Sequence, residues 1–275
     1  MNYDLHTHST ASDGTLSPTE LVLLAKQNGV NVLALTDHDT TDGLQEASVA
    51  AKKCDVILIN GVEISVTWEN MTIHVLGLGV DPGNDVLQEG LLGLRNFRQW
   101  RAEEIGRRLE KSGIEGAYQG ALKYVKGQLV SRTHFARYLV ESGKAKNVGA
   151  VFKKYLVSNK PGHVSGKWAD LESVITWIRG AGGNAVIAHP ARYRMSATKL
   201  RRFIEHFKAF GGTGIEVVSG SHSPNERRDM ALYAKRYSLL ASQGSDYHGP
   251  ENAWVELGKL HSLPSGCEPI WTAWS

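Results

Sequence analysis

Seven short apolar runs punctuate this 275-residue chain, at residues 3–6, 31–36, 56–60, 72–80, 184–189, 214–219 and 239–243. Most are continuously apolar rather than alternating, the pattern of strands covered on both faces, as in a parallel sheet. Helix signals lie between them. Ser17-Pro18-Thr19-Glu20 combines an N-cap, a proline in the first turn and a capping-box glutamate, and Gly29 closes that helix. Ser223-Pro224-Asn225-Glu226 repeats the grammar before the last run, and Asp170 opens another amphipathic helix. Strand–helix alternation predicts an α/β fold with a parallel sheet, closed as a barrel.

The alternation fails between residues 95 and 168, where the pattern is helical, broken by Gly113, Gly127 and Gly143. We therefore expect residues 1–94 and 169–275 to form the barrel and 95–168 an all-α insertion capping it. Charge sharpens this division. Residues 95–170 hold 16 Lys/Arg against 6 Asp/Glu, whereas the whole chain carries a net charge of only +3. A basic segment interrupting an acidic one prompts a search for an anionic partner, although solvated helix faces would produce the same count. Hydrophobic residues at 41% suffice for a sizeable core. No apolar run approaches the roughly 18 residues a membrane span needs. The N-terminus lacks the basic and apolar regions of a secretory signal, and Cys54 and Cys267 are too few for a disulfide framework, so a reducing cytoplasm is the expected location.

The eleven histidines are the unusual count, and their placement points to chemistry. His6 and His8 end the first strand; residues i and i+2 share a strand face, so both imidazoles can meet one metal. Asp13 follows in the next loop. The second strand ends in Thr36-Asp37-His38-Asp39, the third in Gly61-Val62-Glu63, the fifth in Ala188-His189-Pro190, and the seventh runs into Gly244-Ser245-Asp246-Tyr247-His248. The fourth contributes His74. Alone, His74 reads as readily as a core residue, His189 as a strand cap, and Asp37 and Asp39 as turn formers. We place those two aspartates behind His38, orienting it, rather than among the ligands. Independent packing accounts poorly for the whole set. Barrel enzymes collect catalytic groups from several strand ends in this way.

On these residues the chain resembles the PHP (polymerase and histidinol phosphatase) family. His6-x-His8, Asp13, His38, Glu63, His74, His189 and Asp246-x-His248 stand in that family's motif order. The resemblance implies a distorted seven-stranded β/α barrel and a metal-dependent phosphoesterase. The length, the helical insertion and Ser131-Arg132-Thr133-His134 are similar to the nucleoside 3′,5′-bisphosphate phosphatase branch, some relatives of which act as 5′→3′ exoribonucleases. Six imidazoles and three carboxylates suit two or three divalent ions, and such centres lower the pKa of bound water toward ~7. The resemblance favours manganese, with zinc or iron as alternatives of the same mixed N/O preference. We expect His6, His8, Glu63 and Asp246 on one ion, Glu63, His74 and His189 on a second, and Asp13, His38 and His248 on a third. A bridging water held by Glu63 and Asp246 would be the nucleophile, with His222 a candidate proton donor.

Ser131 reads as an N-cap, which places Arg132, Thr133 and His134 in a helix first turn, where free N–H groups and an Arg fork favour phosphate. A plain amphipathic helix fits the same pattern, and the resemblance tips the choice to substrate binding. Arg192, three residues beyond His189, is placed to reach a phosphate over the metals. His163, His206 and His261 read as structural or surface residues, and Trp168, Trp177, Trp254, Trp271 and Trp274 as core or terminal anchors. The expected substrate is a small nucleotide with two phosphates, with short single-stranded RNA as a second class. No membrane and no obligate protein partner are implied. Histidinol phosphate fits the basic insertion less well, and a non-catalytic PHP module fits a complete ligand set poorly.

Overall fold

The computed structural model describes residues 1–251 and 254–274. Its elements run β1 (Tyr3–Asp4), α1 (Pro18–Gln27), β2 (Val32–Leu35), α2 (Leu44–Cys54), β3 (Ile57–Trp68), β4 (Met71–Leu78), α3 (Asp85–Lys111), α4 (Ala117–Leu122), α5 (Arg132–Glu141), α6 (Val148–Val151), β5 (Ala169–Asp170), α7 (Leu171–Gly180), β6 (Asn184–Ile187), α8 (Ala197–Ala209), β7 (Gly214–Ser219), α9 (Pro224–Arg236) and β8 (Leu240–Gly244). The sheet is ordered β1-β2-β3-β4-β6-β7-β8, and β5 pairs with the far end of β3. Hydrogen bonds beyond the strand ends bring β8 back to β1: Leu5 N–H donates to Gln243 O at 3.0 Å, and Asp246 N–H to His6 O at 2.9 Å. The result is a nearly closed seven-stranded barrel.

The sheet is mixed, not parallel throughout. β4 runs antiparallel to both β3 and β6. Its connection to β3 is the two-residue turn Glu69-Asn70, both at positive φ (43° and 63°). That geometry is the type I′ hairpin turn, which sequence rules attach to Asn-Gly rather than Glu-Asn. β3 also continues to Trp68, well beyond the run that marked it, and the two-residue β5 carries no apolar pattern.

Helix signals translated directly. Ser17 and Ser223 each form a capping box with a glutamate three residues on, and Asp170 caps α7 through its side chain. The barrel's lower interior is apolar, filled by Leu5, Ala34, Leu76, Leu78, Val186 and Ile270. Helices α7, α8 and α9 cover one side of the sheet, and α1 and α2 another.

Between β4 and β5 lie α3 to α6, packed around their own cluster of Ile105, Leu109, Phe135, Leu139 and Val151. The expected boundary at residue 94 falls inside α3, an unbroken 27-residue helix. Its first half buries Leu87, Leu91 and Leu94 against the barrel, and its second half buries Ala102, Ile105 and Leu109 against the other helices. One rigid helix therefore carries the helical layer on the barrel.

Candidate metal and phosphate site

The nine strand-end residues converge. His6 Nε2 lies 3.1 Å from His8 Nε2 and 3.3 Å from Glu63 Oε2, and His8 Nε2 is 3.2 Å from the same oxygen. Asp246 Oδ1 stands 3.4 Å from both imidazole nitrogens. Glu63 is the hub. Its Oε1 faces His74 Nδ1 at 2.7 Å and His189 Nε2 at 2.9 Å, and its Oε2 faces His38 Nδ1 at 2.9 Å. Asp13 Oδ1 is 3.3 Å from His248 Nε2 and 4.0 Å from His38 Nε2. The donor atoms form three overlapping groups: His6, His8, Glu63 and Asp246; His8, Asp13, His38 and His248; and His38, Glu63 and His74. The first matches the expected grouping. In the second His8 joins, and in the third His38 stands with Glu63 and His74 where His189 was expected.

Five buried atoms of this cluster, His8 Nδ1, Asp13 Oδ1, His38 Nδ1, Glu63 Oε2 and His189 Nδ1, have no hydrogen-bond partner among the described residues. Orphaned acceptors in a buried site call for an ion or water, and a thiolate-free set of imidazole and carboxylate suits divalent cations. Electrostatics agrees. Burial alone would raise the carboxyl groups of Asp13, Glu63 and Asp246, yet the surrounding imidazoles hold all three well below the usual carboxylate range. Burial also opposes a charged His8, but Asp246 and Glu63 overturn it and lift the imidazole to about 9. Burial dominates at His38, which falls to about 4. Protons and cations thus compete for the same lone pairs.

The backbone is bent to deliver these groups. Asp39, His189 and Asp246 all hold positive φ at strand ends (53°, 30° and 59°), the strained placement that clusters at functional sites. Glu216, fully buried in β7, was not expected. It accepts from His6 Nδ1–H at 2.9 Å and from the His189 backbone N–H, which fixes the His6 tautomer with Nε2 free toward the cluster. Its signal was a lone acid in an otherwise apolar strand.

Asp37 and Asp39 do not orient His38. Asp37 accepts from Ser9 N–H, Ser9 Oγ and Ser12 Oγ, pinning the loop after β1. Asp39 accepts from Ser65 N–H and from Arg98 Nε at 2.6 Å. Both lie on the chain beside His38, but their carboxylates turn to neighbouring strands and to α3.

Above the cluster opens a cavity of 160 Å³, bounded by Glu63, His74, Asp246, Arg98, Arg101, Arg132, Arg192, Phe152 and Trp168. Arg192 donates to Asp246, and Arg98 is tied to Asp39 and to Ser65 Oγ. Arg132 lies over the Phe152 ring and Arg101 over Trp168. Burial first, then neighbouring guanidiniums, pulls both of these arginines below the usual range. Arg101 was missed. Its signal was Arg98 interrupting the apolar stripe of α3, which marks a face turned to something polar. Trp168, expected as an anchor, is buried yet walls the cavity, and Trp254, also expected as an anchor, is 92% exposed.

Two residues expected at the substrate are placed otherwise. Ser131 caps α5 as its spacing predicts, but His134 is buried and its Nδ1 accepts from Ser131 N–H, completing the capping box away from the cavity. Thr133 lines the cavity with its hydroxyl donating to Asp13 Oδ2 at 3.0 Å. His222, the candidate proton donor, is buried with Nδ1 against Val217 O, and it does not border the cavity.

A nearly closed α/β barrel with a buried imidazole–carboxylate cluster under an arginine-lined cavity defines a class, the metal-dependent phosphoesterases. Comparison with known proteins agrees. The PHP domain family model matches residues 4–184, and the chain belongs to that family. It is 49% identical over 271 residues to a 3′,5′-nucleoside bisphosphate phosphatase of Chromobacterium violaceum, covering 98% of this chain and 95% of the relative. It is 46% identical over 274 residues to the 5′–3′ exoribonuclease Rnm of Escherichia coli, covering 99% and 93%. A solved Chromobacterium violaceum amidohydrolase with bound sulfate and no metal superposes with a TM-score of 0.96 at 49% identity, over 99% of this chain and 95% of that one. The protein is an enzyme, a hydrolase of phosphoesters. Among the described residues no helix is long and apolar enough to cross a membrane.

Proposed function

We infer that the enzyme removes the 3′-phosphate of nucleoside 3′,5′-bisphosphates and leaves a 5′-monophosphate. The observation that carries this reading is the pair Arg101 and Arg132. Both line the same cavity as Glu63 and Asp246, and neither forms an ion pair with a carboxylate among the described residues. Half-buried cations without counter-charge are costly, and a phosphate at this pair relieves that cost. A substrate with one phosphate at the cluster and another at these arginines satisfies both ends. The anion-binding character fits the sulfate of the Chromobacterium violaceum structure, and the substrate fits the name of the 49%-identical relative.

Divalent ions, manganese by our reading, would be held by the nine strand-end ligands and would supply Lewis acidity toward a phosphoryl oxygen and a lowered water pKa. The chain's own residues do the rest. Glu216 and the Asp246 carbonyl fix the ring orientations of His6 and His248. Thr133 steadies Asp13. Arg192 stands beside Asp246 at the cavity, in reach of the reacting phosphate. Phe152 and Trp168 supply flat walls for the nucleoside. A second reading, 5′→3′ removal of nucleotides from short 5′-phosphorylated RNA, uses the same cluster and is favoured by the Escherichia coli relative.

The test is phosphate release with manganese from 3′-phosphoadenosine 5′-phosphate, 3′-AMP, histidinol phosphate and a 5′-phosphorylated oligoribonucleotide. The bisphosphate should show the highest kcat/KM. Arg132→Ala should raise its KM by about 10- to 100-fold, the worth of a charged hydrogen bond, and should narrow its advantage over 3′-AMP. Equal losses on both substrates would refute the assignment.

A further inference from the structure

The chain leaving β8 meets β1 out of step. Leu5 N–H donates to Gln243 O at 3.0 Å, and His8 N–H donates to Tyr247 O at 2.9 Å. The bonding thus advances three residues on one side, from Leu5 to His8, and four on the other, from Gln243 to Tyr247. One extra residue on one side of a strand pair is a β-bulge, a device that re-aims side chains beside active sites. Asp246 lies inside this one at φ 59°, and its N–H donates to His6 O at 2.9 Å. The bend delivers Asp246 Oδ1 to the imidazoles of His6 and His8, 3.4 Å from each.

A bulge leaves a backbone group without its ladder partner. Here that group is Ser245 N–H, which a regular parallel ladder would pair with Leu5 O. Its acceptor is instead a side chain, Asp4 Oδ1 at 2.8 Å. The other carboxylate oxygen, Asp4 Oδ2, accepts from Gly258 N–H at 2.8 Å. Asp4 is fully buried and forms no ion pair among the described residues. A buried carboxylate without a cation is costly, so the residue type needs a reason. Two N–H donors converging on one side chain supply it: a carboxylate offers each an acceptor, whereas asparagine turns a donor toward one of them. The carbonyl of Ser245 is confined as well, because a Cβ at Gly220 would strike it. Ser245 is thereby held at its N–H by Asp4 and at its oxygen by the chain leaving β7.

We propose that Asp4 is a positioning residue: by satisfying the bulge it sets Asp246, and with it His6, in the metal cluster. The inference rests on the reading of that cluster as a divalent-metal site. Asp4 does not line the cavity and stands apart from Arg101 and Arg132, which do. Its loss therefore falls on metal affinity and turnover, while the hold on the second phosphate stays intact. Partners that orient a ligand from behind commonly carry about 10- to 100-fold in metal affinity or activity.

The test compares Asp4→Ala and Asp4→Asn with wild type. Each is chelated and then titrated with manganese by calorimetry, at a temperature where the metal-free form is folded. Asp4→Ala should weaken manganese binding about 10- to 100-fold and lower kcat on 3′-phosphoadenosine 5′-phosphate by a similar factor, with KM within about threefold of wild type. Asp4→Asn keeps one acceptor and should fall between the two, and it carries the test if the alanine variant does not fold. Variants with a lower metal-free Tm but wild-type manganese affinity and kcat would overturn the proposal and leave Asp4 a framework residue. A raised KM at unchanged kcat would overturn it as well, since only uniform substrate binding would then have been lost. Wild-type enzyme that takes up no manganese would remove the metal reading and this proposal together, whereas normal uptake with insensitive variants removes the proposal alone.

Discussion

At the scale of single residues, position decides role more than type does. His38 and His134 both have imidazoles pulled down to about 4 by burial. One faces Glu63 and Asp13, and the other caps a helix. The capping role makes His134 an acid-sensitive element, because its Nδ1 accepts from Ser131 N–H and protonation would consume that lone pair. A histidine whose folded pKa is depressed stabilises the protein fully above its unfolded value of 6.5, and loses that contribution as pH falls toward 4. For this buried ring the loss amounts to about 3 kcal/mol at most. Glutamine at the same position can accept the Ser131 N–H without titrating. His134→Gln should therefore show a shallower loss of stability than wild type between pH 6.5 and 4 in denaturant titrations; parallel curves would contradict the capping role. His134 is also where motif reading went furthest astray. Ser131, Arg132 and Thr133 all border the cavity while His134 turns away to cap the helix, and the sequence does not say which of the four is turned inward.

At the scale of elements, β8 and β1 meet most closely at Gly244, where an added Cβ would stand 2.2 Å from His6 Cβ. Gly244→Ala should cost about 1–3 kcal/mol through overpacking. It should also displace His6, so that catalytic activity falls further than stability does; thermal denaturation and phosphate release measured on the same sample separate the two. Normal activity at reduced Tm would show that His6 has slack. Strands that end in His-x-His or Asp-x-His were legible because a polar pair closing an apolar run has few other causes. The β3–β4 hairpin was not legible, since nothing about Glu69-Asn70 announces two left-handed residues and β4 reads as apolar whichever way it runs. The two-residue β5 lacks any periodicity to detect.

For the whole molecule, the cluster ties together loops from both ends of the chain, with Asp13, Glu63 and Asp246 buried among six imidazoles. A ligand that binds only the folded form stabilises it by mass action, about 4 kcal/mol when present at a thousand times its Kd. Chelation should therefore abolish phosphate release and lower Tm by several degrees, and added divalent ions should restore both. A chelated enzyme of unchanged Tm would mean the cluster is not a metal centre of the folded state. By itself the sequence determined the barrel, its catalytic end and the identity of the nine converging groups, because burying a charged or titratable side chain at a strand end is too costly to occur nine times without a purpose. Only the tertiary structure decided what those groups do to one another: that Glu63 sits at the hub, that Glu216 steadies His6, that Asp37 and Asp39 serve the framework, and that Arg101 joins Arg132 in lining the cavity. Each of these depends on which strand lies beside which, and on which way a helix is rotated. Contacts between residues dozens of positions apart leave no periodic trace along the chain.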